Sequence, residues 1–219
     1  MRFSTGLPRL DELLEGGVPT KAITLIYGEE KSGKTSLALR ISALAARTAS
    51  AAYIDCSGRL HPERLSQVLE ANGVSEERVL VAVVENFLQQ EELILKLHDE
   101  PPPAPLIVFD DFTALHRIEI TGDVKRDMAV YKRLAFQVAA LREAALNRGL
   151  AVIIVGQVHG IPDAGRSRLI AQRILEYWSD RVLRLERKPG ELVGRIFVEK
   201  PRKEVSVPFR ISEAGLVPG

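Results

Sequence analysis

The sequence predicts an α/β fold in which helices flank a mostly parallel central sheet, with antiparallel strands added near the C-terminus. Apolar, β-rich runs alternate with helical stretches up to residue 157. Strands that are apolar at nearly every position are typical of parallel sheets covered on both faces. After a polar stretch at 159–168, short strands follow one another through tight turns, which favours antiparallel pairing. The length of 219 residues suits a single domain, 1–219.

Periodicity and turn residues predict the individual elements. Residues 32–47 carry apolar side chains at the i, i+3, i+4 spacing of a helix, and a helix over 62–73 ends at Asn72-Gly73. Proline-rich residues 101–105 form a stiff linker into the next strand. The predicted parallel strands are 22–28, 51–55, 79–85, 106–111 and 150–157, and the remaining helices are 88–100 and 127–148. The predicted antiparallel strands are 181–187, 192–199 and 205–211.

Composition argues against several classes of protein. No apolar run is long enough to cross a bilayer, and the first residues lack the apolar core of a signal peptide. Cys56 is the single cysteine, so neither an internal disulfide nor a cysteine metal cluster is expected. We therefore expect a cytoplasmic protein without a membrane partner.

Charge is divided unevenly between the halves of a chain whose net charge is +1. Residues 1–110 hold 11 Lys and Arg against 16 Asp and Glu, which gives −5. Residues 111–219 hold 19 against 13, which gives +6. A polyanion should therefore meet the second half, although solvated charges segregated by chance explain the asymmetry equally well.

The stretch GEEKSGKT, residues 28–35, fits the pattern G-x-x-x-x-G-K-[ST] between a predicted strand and a predicted helix. Its glycines let successive backbone N–H groups turn towards phosphates, and the helix N-terminus adds partial positive charge. Lys34 should reach the β- and γ-phosphates, and the Thr35 hydroxyl should ligate Mg²⁺. The alternative is a chance match in a glycine-containing turn. The expected nucleotide-binding residues are Gly28, Glu29, Glu30, Lys31, Ser32, Gly33, Lys34, Thr35 and Ser36, with both glutamate side chains pointing outward.

A second motif, LIVFDD at 106–111, is an apolar strand that ends in two acids. Beside a phosphate loop, Asp110 is expected to hold Mg²⁺, directly or through water. An acid at a strand end is otherwise often only a turn former. Thr35 and Asp110 are therefore the predicted metal residues.

Several separated segments, from about Ser4 to Leu216, resemble the RecA/RadA recombinases and, among them, the short archaeal RadA paralogues. The segments are STGLPRLDELLEGGVPTKAITLIYGEEKSGKT, YIDCSGRLHPERL, LIVFDDFTALHR, VIIVGQVHG and VPFRISEAGL. The resemblance implies a RecA-like P-loop NTPase core that uses ATP and Mg²⁺. It places residues 28–35 at the Walker A loop, Asp110 at the Walker B aspartate, and Gln157 at the glutamine that senses the γ-phosphate. A buried glutamine at a strand end could instead be a satisfied polar group of the core.

The chain departs from the family at the catalytic acid. The family follows the strand matching YID with T-E-G, whose glutamate orients the attacking water, whereas here the triplet is Cys56-Ser57-Gly58. A serine without an activating partner is a poor base at neutral pH. Asp111, where the family usually carries serine, could supply a substitute carboxylate or could simply cap a turn. We expect ATP binding with slow hydrolysis, and the catalytic candidates are Lys34, Asp110, Asp111 and Gln157.

Two basic segments correspond to the family's DNA-binding loops. The first is expected around 117–127, and the second, shorter than in the family, lies between Val158 and Leu169. Neither loop has aromatic residues, so contact should be to phosphates rather than by base stacking; a solvated basic surface is the alternative. The expected DNA-binding residues are Arg117, Lys125, Arg126, Arg166, Arg168 and Arg173. Tyr177 and Trp178, close after the second loop, are expected in the core.

The resemblance also bears on assembly. The family's helical DNA-binding domain and its polymerisation segment find no room before this core, so an extended filament is not expected. Residues 199–204 match a family segment that caps a neighbour's ATP. There, Lys200 and Arg202 could reach a second subunit or could form an exposed basic turn.

The resemblance implies an accessory factor of homologous recombination and DNA repair. It would bind ATP and DNA, with single-stranded DNA the expected form, and would modulate the main recombinase or other recombination proteins. A KaiC-like regulatory ATPase, acting on protein partners without DNA, shares the same core and stays an alternative. A small-molecule kinase would use the same phosphate loop, but Gln157 and the C-terminal strands argue against it.

Overall fold

The computed structural model describes residues 1–161, 166–169 and 171–219, with side chains described for 1–158 and 171–219. The strands in this part of the chain are β1 (Arg2–Phe3), β2 (Val18–Pro19), β3 (Ala22–Gly28), β4 (Ala51–Asp55), β5 (Val79–Val83), β6 (Leu106–Asp110), β7 (Ala151–Ile161), β8 (Arg166–Leu169), β9 (Arg181–Glu186), β10 (Val193–Lys200), β11 (Arg202–Ser212) and β12 (Gly215–Pro218). Across the described residues the main sheet has ten strands, in the order β12-β11-β10-β9-β3-β7-β6-β4-β5, with β8 paired to β7 off this path. Strands β1 and β2 pair separately.

The sheet joins a parallel core to an antiparallel C-terminal part. Strands β5, β4, β6, β7, β3 and β9 pair parallel in that order, and β10, β11 and β12 continue antiparallel. β9 is the junction, because it pairs parallel with β3 and antiparallel with β10. The carboxyl ends of the parallel strands meet at one edge, where open α/β sheets bind ligands. The predicted fold class is confirmed.

Helices cover both faces of the parallel core. The helices of the described chain are α1 (Pro8–Leu13), α2 (Lys34–Ala46), α3 (Pro62–Ala71), α4 (Phe87–Asp99), α5 (Ala114–Glu119), α6 (Val124–Arg148) and α7 (Gln172–Trp178), with a 3₁₀ turn at Glu76–Arg78. One core contains side chains of α1, α2 and α3, and the other contains side chains of α4, α5, α6 and α7. β3, β4 and β6 are buried at every position, as two covered faces require. None of the described helices combines the length and apolar character that crossing a bilayer demands.

The predicted elements are present with shifted ends. The helix predicted over 127–148 begins at Val124, because the Asp123 side chain accepts hydrogen bonds from the N–H groups of Lys125 and Arg126 at 2.9 and 3.0 Å. The strand predicted over 150–157 continues to Ile161 and pairs with β8, where only a polar stretch is expected. Helices α1, α5 and α7 have six or seven residues, too few for periodicity to reveal.

Two expectations about the basic region are wrong. Most of the first expected loop, 117–127, is helical, since α5 carries Arg117 and the first turn of α6 carries Lys125 and Arg126. Tyr177 is 75% exposed and so lies outside the core, whereas Trp178 is partly buried against the second core. α7 packs with Leu175 inward, which turns Tyr177 outward.

Candidate nucleotide-binding site

The segment 28–36 runs from the last residue of β3 into the first turn of α2, and its two motif glycines are required by backbone geometry. Gly28 is paired with Gln157 on β7 and Leu185 on β9. A Cβ at Gly28 would lie 2.3 Å from the Leu185 carbonyl oxygen, so a larger residue does not fit. Gly33 takes the N-cap position of α2 with φ of 102°, a conformation that L side chains rarely adopt.

The loop presents hydrogen-bond donors to an incoming ligand. No side chain of the described residues caps α2, so its first-turn N–H groups and its dipole are available to an anion. The Ser32 hydroxyl is buried and has no hydrogen-bond partner in the described part of the chain. Glu29 and Glu30 are exposed, so their carboxylates do not block the loop. This donor set fits a phosphate chain.

Lys34 is the buried cation of the loop. It is 9% exposed, and its Nζ donates a hydrogen bond to the Glu29 carbonyl at 2.6 Å. Burial lowers the pKa of Lys34, while the carboxylates of Asp111 and Asp110 act in the opposite direction. Burying an ammonium group is costly unless it is paired with an opposite charge, and a bound phosphate would supply that charge.

Asp110 ends β6 and receives two hydroxyl hydrogen bonds. The Thr35 hydroxyl donates to Asp110 Oδ2 at 2.7 Å, and the Tyr53 hydroxyl donates to the same oxygen at 2.6 Å. Burial raises the pKa of Asp110, and these two hydrogen bonds oppose that shift. Thr35 and Asp110, the predicted Mg²⁺ residues, are thus already in contact. No group of three His, Cys, Asp or Glu side chains that could hold a metal exists among the described residues, so Mg²⁺ here would need phosphate and water oxygens as further ligands.

Asp111 is held by the turn that follows β6. Its Oδ1 accepts hydrogen bonds from the Thr113 N–H at 3.0 Å and the Thr113 hydroxyl at 2.7 Å. Its Oδ2 lies 3.8 Å from Nη2 of Arg117. The Asp110–Asp111 peptide bond is cis. The hydrogen bonds from Thr113 favour the turn-capping interpretation of Asp111 over a role as a free base.

Ser57 is tied to Asp55, the last residue of β4. Its hydroxyl donates to Asp55 Oδ1 at 2.9 Å, and the N–H groups of Ser57 and Gly58 reach the same oxygen at 2.9 Å. The N–H of Leu60 donates to Asp55 Oδ2, also at 2.9 Å. Asp55 is 3% exposed and so acts as a structural carboxylate that shapes the turn. The Ser57 proton points at this carboxylate, which leaves no base at the expected catalytic position.

These residues surround a cavity of about 610 Å³. It is lined by Glu30, Lys31, Lys34, Thr35, Ser57, Arg59, Asp110, Asp111, Ala114, Arg117, Ile118 and Gln157. A neighbouring cavity of about 200 Å³ is lined by Lys31, Gly33, Lys34, Thr35, Ser36, Arg187 and Ile211. The structure therefore brings together the four catalytic candidates with both metal candidates. In the larger cavity, four cations (Lys31, Lys34, Arg59, Arg117) face three acids (Glu30, Asp110, Asp111).

Three residues of the site are absent from the sequence-based prediction. Tyr53 binds Asp110 from the neighbouring strand, and Arg59 forms an ion pair with Glu30 at 3.3 Å. Arg187 donates to the Lys31 carbonyl at 2.8 and 3.3 Å from two of its nitrogens. The one available signal was at Tyr53, because a tyrosine inside an apolar strand needs a partner for its hydroxyl.

The remaining DNA candidates lie away from the cavity lining or outside the described side chains. Lys125, Arg126 and Arg173 are exposed. Arg166 and Arg168 lie on β8, whose backbone pairs them with Ile161 and His159; their side chains lie outside the described part. Arg117 differs from this group, because it lines the larger cavity.

Comparison with known proteins gives one consistent family. The Rad51 family model matches residues 1–216. DNA repair and recombination protein RadB of Thermococcus onnurineus strain NA1 is 34% identical over 222 residues, which covers 98% of this chain and 96% of that protein. The RadB protein of Methanocaldococcus jannaschii is 32% identical over 212 residues, covering 94% of this chain and 98% of that protein. A crystal structure of the RadB recombinase superimposes with a TM-score of 0.80 at 30% identity and covers 99% of both chains.

Proposed function

Because this chain belongs to the Rad51 family, we propose that it binds Mg-ATP at residues 28–36, hydrolyses it slowly, and acts on DNA as an accessory factor of recombination and repair. The observation that carries the nucleotide part is the convergence of Lys34, Thr35 and Asp110 on one cavity beside an uncapped helix N-terminus. This arrangement matches the positioning and charge neutralisation that phosphoryl transfer needs.

The proposal gives a role to the phosphate-binding, metal-binding and catalytic candidates of the site. The backbone of 28–36 and Lys34 would hold the phosphates, and Thr35 with Asp110 would hold Mg²⁺, which screens phosphate charge when bound. Gln157 lines the same cavity and would sense the terminal phosphate. Hydrolysis is slow in this proposal because Ser57 is bound to Asp55 and Asp111 to Thr113, so neither is ready to take a proton.

The recombination part of the proposal rests on the relatives. The RadB proteins that match this chain over nearly their full length bear the name DNA repair and recombination protein. None of these relatives supports the KaiC-like alternative. We propose that the exposed cations Lys125, Arg126 and Arg173, together with Arg166 and Arg168, contact DNA phosphates, with single-stranded DNA preferred. The main recombinase or other recombination proteins are the proposed protein partners.

Calorimetric titration with Mg-ATP tests the nucleotide part. Lys34→Ala should weaken ATP binding more than about tenfold, because it removes a charge-assisted contact to phosphate. Lys132, exposed on α6 and outside the cavity lining, gives a charge-matched control, and Lys132→Ala should bind as the wild type does. Equal ATP affinity in the wild type and in a folded Lys34→Ala variant would contradict the proposed site.

A further inference from the structure

Arg117 reaches the nucleotide cavity from α5, although its place in the sequence groups it with the basic DNA-loop residues. We propose that Arg117 binds the terminal phosphate of ATP and so makes the site prefer ATP over ADP. This inference rests on the proposed function, since it requires that the cavity take ATP. Under this inference Arg117 contacts nucleotide instead of DNA.

The two cavities set the direction in which the nucleotide lies. They share Lys31, Lys34 and Thr35. Lys34 would hold the β- and γ-phosphates, and Thr35 with Asp110 would hold the Mg²⁺ that neutralises their charge. Asp110, the other metal candidate, and Gln157 line only the larger cavity. The terminal phosphate therefore belongs in the larger cavity, whose lining includes Arg117.

Arg117 is placed to exchange one anion for another. Its side chain is 28% exposed, and the Asp111 carboxylate, 13% exposed, lies 3.8 Å away. That separation is too long for a hydrogen bond, so the pair is held by charge alone. A guanidinium has five donors and matches phosphate oxygens in a bidentate geometry. A phosphate in the cavity would offer Arg117 the hydrogen bonds that Asp111 does not make.

Arg117 also protects the terminal phosphate from repulsion. Asp111 faces the same cavity, and without a neighbouring cation its carboxylate would repel an incoming phosphate. ADP lacks the phosphate that would sit beside this carboxylate. Loss of Arg117 should therefore penalise ATP and leave ADP nearly untouched.

The second arginine of the cavity is a weaker candidate. Arg59 is 68% exposed and pairs at 3.3 Å with Glu30, which is 64% exposed. Solvent screens exposed pairs of this kind strongly. In contrast, the Arg117 side chain is only 28% exposed. It follows His116, which is fully buried and anchors α5.

The experiment measures the dissociation constants of ATP and ADP, each with Mg²⁺, by calorimetry. Arg117→Ala should weaken ATP binding about tenfold, the scale of a lost charge-assisted bidentate contact. The same variant should change ADP binding less than about twofold. Arg117→Lys should fall between, because it keeps the charge and loses the planar fork. Lys132→Ala, which removes an exposed charge of α6, should change neither constant.

Three results would overturn the inference. A parallel loss for ATP and ADP with a lowered Tm would make Arg117 only a structural partner of Asp111. Unchanged nucleotide binding with weakened DNA binding would return Arg117 to the DNA surface. Full recovery of ATP affinity in the double variant Asp111→Asn with Arg117→Ala would show that Arg117 only offsets the repulsion between Asp111 and phosphate. The asparagine removes that charge and keeps the Oδ1 acceptor that Thr113 uses, so the turn is preserved. If the wild type binds neither nucleotide, the proposed function itself fails.

Discussion

At the position where the family places its catalytic acid, the Ser57 hydroxyl gives its hydrogen bond to Asp55 at 2.9 Å. Ser57 lines the larger cavity, but its hydroxyl proton is directed at Asp55, a buried carboxylate that also accepts three backbone N–H groups, so the serine brings no free carboxylate to this position. A glutamate at this position would extend into a cavity that also contains Lys34 and Arg117. The cations would keep its carboxylate ionised and able to orient water.

A positioned general base accelerates a reaction by about a hundredfold or more. Ser57→Glu should recover part of that effect and raise the steady-state rate of ATP hydrolysis by at least about tenfold. Ser57→Gln is the matched control, because it has the same length without a base, and it should leave the rate low. Phosphate release under saturating Mg-ATP is the measurement. Equal rates for the Glu and Gln variants would show that the missing acid is not what limits turnover.

The sequence predicts the site residues whose role is local and misses those whose role depends on how the strands pair. Gly28, Gly33 and Lys34 follow from a contiguous motif. Tyr53 reaches Asp110 only because β4 and β6 pair with Asp55 opposite Asp110. Arg187 meets Lys31 across 156 residues of chain, and nothing near either residue indicates that contact.

Among the elements, α5 shows how a short helix depends on its neighbours. Six residues are too few for a helix to be stable alone, and α5 is fixed through Leu115 and His116, both of them buried. The His116 ring lies 4.8 Å from Tyr131 on α6 and 5.8 Å from Phe87 on α4, both edge-on. Neither ring nitrogen has a hydrogen-bond partner among the described residues. A charged imidazole is therefore poorly tolerated here.

This burial predicts a pH-dependent stability. Burial lowers the pKa of His116 to about 4, and the opposing attraction of Asp127 is smaller. The ordinary pKa of histidine is 6.5. Between pH 6.5 and about 4, His116 is therefore protonated in the unfolded chain and neutral in the folded chain. The contribution of His116 to the free energy of unfolding is thus complete above pH 6.5 and is lost as the pH drops towards 4. The loss across this window is about 3 kcal/mol at most.

Urea unfolding at several pH values within that window measures the effect. His116→Phe should remove most of the loss attributed to this ring, because the phenyl group can pack against Phe87 and Tyr131 and takes no proton. His98, whose side chain is 33% exposed, provides the control, and His98→Asn should keep the His116 contribution. A pH dependence that is the same in His116→Phe and wild type would contradict the assignment.

Long elements follow from periodicity, and short ones do not. The strand 22–28 and the helix ending at Arg148 are predicted, because each repeats its pattern over many residues. α5 is decided by packing between α4 and α6, so the segment 117–127 is mistaken for a loop. That error is also why Arg117 is first grouped with the DNA-binding residues.

Across the whole molecule, charge is segregated along the chain. The −5 of residues 1–110 and the +6 of residues 111–219 describe a protein whose basic half carries the five cations proposed to contact DNA. The phosphate loop itself lies in the acidic half, so its anion site depends on local donors rather than on the net field. Nucleotide binding and DNA binding are therefore expected to depend differently on salt concentration.

DNA binding should fall steeply as salt rises, because cations that neutralise phosphates release counterions. Arg166→Ala with Arg168→Ala should weaken binding to single strands of different sequence by the same factor, since phosphate contacts carry no base information. With two contacts removed, the slope of log K against log salt should shrink by about 1.4. Fluorescence anisotropy of labelled single-stranded DNA, titrated at several salt concentrations with and without Mg-ATP, measures both quantities.

The control removes the same charge from the acidic half, where Arg9 and Lys96 are exposed. Arg9→Ala with Lys96→Ala should leave the salt slope unchanged, because these side chains meet no phosphate. An equal loss in both double variants would mean that net charge alone drives binding. If the wild type fails to bind DNA even at low salt, the DNA part of the proposed function is wrong, and a nucleotide-binding regulator of other proteins becomes the better description.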